Sequence, residues 1–295
     1  MRIVSLLPSA TEILFAIGAG EDVVGVTFEC DYPPAARTRR IVSTTTLPDG
    51  LTPVEIDRVI TRRLACGEDL YRLDEAALRD LDADLIVTQD LCSVCALDVD
   101  TVEDALDYLG CRADVLTLDP MSLDDVWDTL TIVGEATGRA GQAQQLRAAL
   151  GARLADLSAL LGDTAPRPTA LLEWTEPPFA PGHWVPQMVT LAGGRPVLGA
   201  AGQRSVRVGW DEVATSRAEV VICAPCGYSL ADAIPLAEAI VDAGRLPASV
   251  PVWAMDANSA VARPGPRLVD GTVAIAGILH PHLLTADPAV ARRVA

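Results

Sequence analysis

The sequence predicts an α/β protein in which two α/β lobes with parallel sheets are joined by one long backbone helix. Short apolar runs alternate with amphipathic segments, and these runs are continuous, which is typical of parallel strands covered by helices on both faces. Leucines at three- and four-residue spacing, from Leu146 to Leu161, separate two such regions. We therefore expect an N-terminal lobe over 1–120, a connecting backbone helix over 121–165 and a C-terminal lobe over 166–295.

The N-terminal lobe is predicted from five apolar runs and four helical segments. The segment Pro8–Glu12 opens the first helix, and Ser9 is the expected N-cap because Glu12 stands at the capping-box spacing from it. The predicted strands are Ile3–Leu7, Val23–Thr27, Arg40–Ser43, Asp84–Thr88 and Asp114–Leu118. The predicted helices are the one that the segment Pro8–Glu12 opens and those over Thr52–Ala65, Asp74–Leu81 and Thr101–Leu109.

The connecting region and the C-terminal lobe show the same kinds of pattern. Ser122 is expected to cap a long helical region that Gly138 or Gly141 bends or breaks. His280 and His282 follow the last helix and are expected at the surface. The predicted strands are Thr169–Trp174, Val220–Ala224 and Val250–Met255, and the predicted helices are Pro186–Ala192, Ser229–Ala243 and Pro266–Leu279.

The composition excludes several classes of partner. The 295-residue chain has a formal net charge of −17, so nucleic-acid phosphates and anionic membrane surfaces would repel it. The apolar run within Met1–Pro8 is too short for a secretory signal, and no stretch has the ~20 apolar residues of a membrane helix. We therefore expect a cytoplasmic protein without membrane insertion, and the missing export signal argues against a transporter partner.

Two Cys-x-x-Cys motifs follow apolar strands, Cys92 with Cys95 and Cys223 with Cys226. Cys223 belongs to its strand and is expected in the core. Because ligands bind beyond the carboxyl ends of parallel strands, the thiols that follow strand ends in both lobes are candidates for a shared site. A zinc ion or an iron–sulfur cluster is one hypothesis for them, and His183 can replace one thiol. Oxidation of Cys92 and Cys95 to a disulfide, or a purely structural role, are the alternatives. The candidate metal ligands are Cys30, Cys92, Cys95 and Cys226.

Other strand ends carry side chains suited to a small-molecule ligand. The rings of Trp174, Trp184 and Tyr228 are candidates to stack on a flat conjugated molecule or, alternatively, to pack in the lobe core. His183 is a candidate metal ligand or axial contact to a bound metal chelate. The alternative is a hydrogen-bonded residue that orients its neighbours. Ser9, Glu29, Asp90 and Arg263 are candidates for polar contacts. No nucleophile elbow, phosphate loop, dinucleotide fingerprint or His-Glu-x-x-His motif is present, so binding is favoured over catalysis.

Several longer motifs carry a family resemblance. In the N-terminal half they are Ser5–Glu12, Glu29–Pro33 and Thr88–Ala96, and in the C-terminal half Glu173–Trp174, Gly182–Pro186, Ala192–Gly194, Pro225–Tyr228 and Arg263–Arg267. With these motifs the chain resembles the cobalamin-binding-protein branch of the class III, helical-backbone ABC-transporter substrate-binding proteins, the vitamin B12-receptor-like group. The resemblance implies a ligand cleft between two lobes, occupied by cobalamin, a related corrinoid or another metal chelate.

The alternative hypothesis is a cytoplasmic metalloprotein or enzyme. In it the four candidate cysteines hold a zinc ion or an iron–sulfur centre, and Glu29 acts as an acid or base. The second Cys-x-x-Cys motif favours this alternative, together with Ala260–Ala262, which stands where the family usually has an aromatic pair. Phe28, which stands where the family usually has histidine, is a further departure from the family pattern. The sequence leaves the ligand or metal, any reaction, the partner proteins and the oligomeric state open.

Overall fold

The computed structural model describes residues 1–89 and 113–295, and the chain divides into two compact units. Unit 1 consists of Met1–Pro120 and Trp127–Arg147, and unit 2 of Met121–Val126 and Ala148–Ala295. Each unit is built of strands and helices, as the sequence predicts. The domain boundaries 1–120, 121–165 and 166–295 remain a prediction.

Unit 1 contains a six-stranded sheet within the described residues, with the order β4-β3-β2-β1-β5-β6. Its strands are β1 (Ile3–Ser5), β2 (Val23–Thr27), β3 (Arg40–Thr45), β4 (Tyr71–Leu73), β5 (Leu85–Thr88) and β6 (Asp114–Thr117). Five of them are parallel and β4 runs antiparallel to β3. The prediction of an all-parallel sheet is therefore corrected at this edge. The short strand β4 was not expected because only three residues form it.

Unit 1 contains three complete helices and most of a fourth within the described residues. They are α1 (Pro8–Ala16), α2 (Pro53–Cys66), α3 (Glu75–Leu81) and most of α4 (Leu123–Ala136). The expected capping box of Ser9 is wrong: Leu7 is the N-cap of α1, Pro8 occupies the first turn, and Ser9 lies inside the helix. Proline is favoured at the first helical position, where its missing N–H would have no partner, and this shifts the start of the helix ahead of Ser9.

A genuine capping box begins α2. The Thr52 hydroxyl accepts a hydrogen bond from the Glu55 backbone N–H at 3.4 Å, and the Glu55 carboxylate accepts one from the Thr52 backbone N–H at 2.8 Å. The hydrogen bonds from the Thr52 backbone and hydroxyl lower the pKa of Glu55. The backbone N–H groups of Thr52 and Glu55 are thus satisfied at this helix end.

Replacing Thr52 with alanine is expected to lower the free energy of unfolding by about 1 kcal/mol, the usual cost of removing such a cap. Urea denaturation at neutral pH measures the change. Thr52→Ser is the matched control, since its hydroxyl can keep the bond to the Glu55 N–H. An alanine variant as stable as the parent would contradict a stabilising role for the cap.

Unit 2 contains a five-stranded sheet within its described residues, in the order β10-β7-β12-β13-β14. Its strands are β7 (Arg167–Leu172), β10 (Gly194–Pro196), β12 (Val220–Cys223), β13 (Val252–Met255) and β14 (Ala291–Arg293). Four are parallel, and β14 pairs antiparallel with β13. A small antiparallel sheet of β8 (Trp174–Thr175), β9 (Pro178–Ala180) and β11 (Val206–Arg207) extends from the end of β7. Neither β14 nor the small sheet was predicted, because these strands are too short to show a periodic pattern.

Six further helices contribute residues to unit 2. The helix α5 (Ala140–Leu161) begins in unit 1 and ends in unit 2. It is followed by α6 (Val185–Leu191), α7 (Trp210–Thr215), α8 (Leu230–Asp242), α9 (Ala257–Ala260) and α10 (Leu268–Leu279). Ser229 caps α8, and its hydroxyl accepts a hydrogen bond from the Asp232 N–H. No helix among the described residues is both long and apolar enough to cross a membrane.

Buried groups complete the scaffold of unit 2. Cys223 is fully buried at the end of β12, as expected, and burial raises the pKa of its thiol to about 12. The expected surface position of His280 is wrong, since its side chain is buried and its Nε2 lies 3.0 Å from the Gly193 carbonyl oxygen. Helix α10 is almost entirely buried, so His280, which follows its last residue, lies in the core with it. His282 is exposed.

Candidate functional site

Each main sheet has a topological switch point, where the connections from two neighbouring strands run in opposite directions along the sheet. In unit 1 the chain proceeds from β1 to β2 on one side, and β5 and β6 lie on the other. In unit 2 the chain proceeds from β7 to β10 on one side, and β12 and β13 lie on the other. Ligands of open α/β sheets bind beyond the carboxyl ends of the strands at such a switch point. Among the described residues, the loops after β1, β7 and β12 are therefore candidates to line a site.

In unit 2 two aromatic rings meet at this point. Trp174 follows β7 and Tyr228 follows β12, and their ring centroids lie 5.5 Å apart with an interplanar angle of 65°. Both side chains are partly exposed. Burial and, second, the negative charge of Asp232 raise the pKa of Tyr228, so its hydroxyl is a neutral donor at physiological pH. The sequence predicted both rings for the site, and the fold brings them together.

Backbone hydrogen bonds hold this aromatic pair. The Cys226 N–H donates to the Glu173 carbonyl oxygen at 2.8 Å, which joins the loop after β12 to the end of β7. The Asn258 N–H donates to the Tyr228 carbonyl oxygen at 3.1 Å, which joins the same loop to the segment after β13. The indole N–H of Trp174 donates to the Glu176 carbonyl oxygen at 3.2 Å. The rings are thus carried by loops fixed to the sheet edge.

His183 lies in the loop between β9 and α6. Its φ of +50° is in the left-handed region, which histidine enters more readily than most residues but still at a cost. Its N–H donates to the Gln203 carbonyl oxygen at 2.6 Å, and its own carbonyl oxygen accepts from the Gly202 N–H at 3.0 Å. Burial and, second, the positive charge of Arg204 lower the pKa of His183. The partly buried imidazole is therefore neutral at physiological pH, the form that can contact a metal.

Replacing His183 with glycine is expected to yield a protein about 1 kcal/mol more stable than the His183→Ala variant, because glycine adopts a φ of +50° without strain. Both variants lose the same imidazole contacts, including the ring of Trp184 with its centroid 5.6 Å away. Thermal and urea denaturation of the two variants measure the difference. Equal stabilities would show that the local backbone carries no strain.

Glu173 occupies the position between β7 and Trp174. Its carboxyl group accepts hydrogen bonds from the Ser205 hydroxyl and the Gly182 N–H. Burial raises the pKa of Glu173 from 4.5 to about 7, although these two hydrogen bonds act in the opposite direction. Ser205 and Asn258 were not singled out in the sequence, since serine and asparagine are common in loops and no motif marks them.

Two other predicted residues of unit 2 are buried. Trp184 is 6% exposed and its indole N–H donates to the Val261 carbonyl oxygen at 2.8 Å, which fits core packing better than stacking on a ligand. Arg263 is 8% exposed and donates to the Asn258 side-chain oxygen at 3.0 Å. The Asn258 N–H also donates to the Tyr228 carbonyl oxygen. Arg263 is therefore linked, through Asn258, to the loop that carries Tyr228.

In unit 1 the predicted residues surround the ends of β1 and β2. Ser9 is buried in α1, and Glu29 is partly buried after β2. Cys30 is buried with its sulfur 3.0 Å from the Thr11 hydroxyl oxygen, and this hydroxyl donates to the Ser5 hydroxyl oxygen at 2.9 Å. These contacts form a polar chain between two strand ends. Asp90, Cys92 and Cys95 lie outside the described residues.

The described ranges contain no group of three or more His, Cys, Asp or Glu side chains that could hold a metal ion. Cys226 is an exposed thiol near the aromatic pair, and Cys30 is a buried thiol. The site of four cysteines for zinc or an iron–sulfur cluster involves Cys92 and Cys95, so it remains a prediction without support from the residues described.

Comparison with known proteins identifies the fold. No protein-family model matches the chain. An uncharacterized ABC transporter substrate-binding lipoprotein of Bacillus subtilis (strain 168), YvrC, is 30% identical over 156 residues, or 53% of this chain. Those residues span 40% of the length of YvrC, less than half of it.

Solved structures match over nearly the whole chain. The periplasmic vitamin B12 binding protein BtuF of Vibrio cholerae is 22% identical with a TM-score of 0.67, covering 95% of this chain and 96% of BtuF. A periplasmic heme binding protein from Pseudomonas aeruginosa is 17% identical with a TM-score of 0.72, covering 98% and 96%. The chain therefore has the periplasmic-binding-protein fold, and the prediction of two α/β lobes is confirmed.

The expected cytoplasmic location is wrong. The sequence relative is named as a lipoprotein, and the matched vitamin B12 and heme binding proteins are named as periplasmic. That expectation rested on Met1–Pro8, but Ile3–Ser5 is the buried strand β1 and Pro8 begins α1. These residues belong to the folded unit, so they carry no information about export.

Proposed function

We propose that this chain is the substrate-binding component of an ABC transporter and that its ligand is a corrinoid or a related metal-bearing macrocycle such as heme. The aromatic pair Trp174–Tyr228 at the switch point of unit 2 is the observation that carries the proposal. The names of the matched proteins support the type of ligand, since they bind vitamin B12 or heme. The motif resemblance makes cobalamin the first candidate.

The chemistry of the pair suits such a ligand. A corrin or porphyrin ring offers a broad, largely apolar face, and burying that face against partly exposed aromatic rings is favourable by about 25 cal/mol per Å² of apolar area. The neutral hydroxyl of Tyr228 can donate to peripheral amides or carboxylates of the macrocycle. The neutral imidazole of His183 is suited to an open axial position of the metal that the ligand carries.

The transporter partner is part of the proposal. The sequence argued against a transporter partner only because an export signal was not seen. Since the expected cytoplasmic location is wrong, that argument no longer applies. The lipoprotein relative is itself named as an ABC transporter component. We expect the ligand-loaded chain to bind the membrane-embedded permease of such a transporter.

Equilibrium dialysis against cyanocobalamin, cobinamide, hemin and metal-free protoporphyrin tests the ligand. We expect saturable one-to-one binding of a corrinoid, or of hemin, with a dissociation constant on the order of 1 µM or below. Comparing cyanocobalamin with cobinamide shows whether the nucleotide loop of cobalamin is read, and comparing hemin with protoporphyrin shows whether the metal is contacted. No binding of any of the four up to roughly 100 µM would refute the proposed ligand class.

A further inference from the structure

Two chain segments of unit 2 lie side by side next to Glu173. One is 181–184, which carries His183, and the other is 200–205, which ends at Ser205. Besides the two backbone hydrogen bonds of His183, their contact is marked by close packing at Gly182. A Cβ atom placed on Gly182 would lie 2.4 Å from both the Gln203 carbonyl oxygen and the Ser205 nitrogen, so even alanine would push the segments apart.

The side chain of Glu173 is bonded to both segments. Its carboxyl group accepts from the Gly182 N–H in the first and from the Ser205 hydroxyl in the second. Its backbone is fixed as well, because its N–H donates to the Phe179 carbonyl oxygen at 3.1 Å and its carbonyl oxygen accepts from the Cys226 N–H at 2.8 Å. Glu173 thus connects the end of β7 to the loop after β12 and to the segments 181–184 and 200–205.

We propose that Glu173 is a positioning residue of the ligand-binding surface: its carboxyl group fixes the segments 181–184 and 200–205 against the end of β7, so that His183 and the Trp174–Tyr228 pair present one fixed surface. The inference rests on the proposed function, because these are the side chains assigned there to the ligand. Glu173 itself need not touch the ligand. Its effect is to keep His183 in a backbone conformation that histidine would otherwise leave.

The hydrogen-bonding groups of Glu173 allow a sharp comparison of variants. In Glu173→Gln the amide oxygen can accept from Gly182 and the amide nitrogen can donate to the Ser205 oxygen, so both links can be kept. In Glu173→Leu the side chain has a similar size but neither link is possible, and the Gly182 N–H loses its partner. Ser205→Ala removes one link only. A positioning role therefore predicts that glutamine rescues and leucine does not.

Two readouts test the proposal. The first is the dissociation constant for the macrocycle that the parent protein binds best in dialysis. We expect Glu173→Leu to raise it at least tenfold, Ser205→Ala to raise it by a smaller factor, and Glu173→Gln to stay within about threefold of the parent. The second is the amide signal of Gly182 in ligand-free protein labelled with ¹⁵N-glycine, one of 22 glycine signals. We expect it to move strongly in the leucine variant and weakly in the glutamine variant, with Gly271 as an unaffected control.

The outcomes separate this proposal from the function it rests on. Equal affinities of the leucine and parent proteins, or an unchanged Gly182 signal in the leucine variant, would overturn the positioning role. If no macrocycle binds even the parent, while Gly182 shifts in the leucine variant and is restored in the glutamine variant, the ligand class fails and the positioning of the two segments stands. Should the leucine variant fail to fold, Ser205→Ala gives the same two readouts, and parent-like values in both would overturn the proposal.

Discussion

Replacing Trp174 with alanine is expected to raise the dissociation constant for the macrocycle at least tenfold, a loss of about 1.4 kcal/mol or more of binding free energy. The indole is the ring at the end of β7, and its partner ring Tyr228 meets it at 65° rather than lying flat on it. Removing it deletes the largest apolar surface of the pair and also the ring against which Tyr228 packs. Trp174→Phe keeps a ring and should recover most of the affinity.

Trp210→Ala is the control for this experiment. Trp210 belongs to the same unit, its ring lies 5.9 Å from the Arg245 guanidinium carbon, and α7 is not part of the switch point. This variant should bind the macrocycle with the parent's affinity, whatever its effect on stability. A Trp174→Ala protein that binds as tightly as the parent would remove the observation on which the proposed function depends.

The free energy of unfolding is expected to depend on pH through Glu173. Its pKa is about 7 in the folded protein and 4.5 as the ordinary value, so between these pH values the folded state binds more protons than the unfolded state. Stability from this group is therefore complete below pH 4.5 and is lost as the pH rises through 7. The difference between the two pKa values corresponds to a loss of up to about 3 kcal/mol.

Urea denaturation at pH 5 and pH 8.5 measures this dependence, with Glu173→Gln as the control that cannot ionise. The glutamine variant should match the parent at pH 5 and exceed it in stability at pH 8.5. Other titrating groups, including His183, affect both proteins alike, so only the difference between the two proteins is read. A parent and a variant that lose the same stability over this interval would show that the Glu173 carboxylate is well solvated.

The sequence predicts the long elements of the fold well. Apolar runs gave every strand of the main sheets except β4, β10 and β14, which are three residues long and at sheet edges. The start of α1 was misplaced because a serine with the right spacing was weighed above the proline before it. His280 was misplaced because a histidine at a helix end resembles a surface residue, and only the burial of all of α10 reveals otherwise.

The candidate site was predictable only in part. Trp174 and Tyr228 follow from one topological rule, that ligands bind at the carboxyl ends of parallel strands, together with the rarity of aromatic residues in this chain. Glu173 was noted only within the Glu173–Trp174 motif of the family resemblance. Its contact with Ser205 spans 32 positions through a small sheet that no pattern indicates, so its raised pKa could not be foreseen.

The aromatic pair is held by backbone groups, through the bonds from Cys226 to Glu173 and from Asn258 to Tyr228. Every amino acid except proline carries the same N–H, so these bonds survive almost any exchange of side chain along the rim. The surface can therefore change its chemistry while its scaffold stays constant. In evolution this allows ligand preference to drift within one fold, and in the laboratory it makes positions 174, 226 and 228 natural targets for a library that selects new macrocycle specificities.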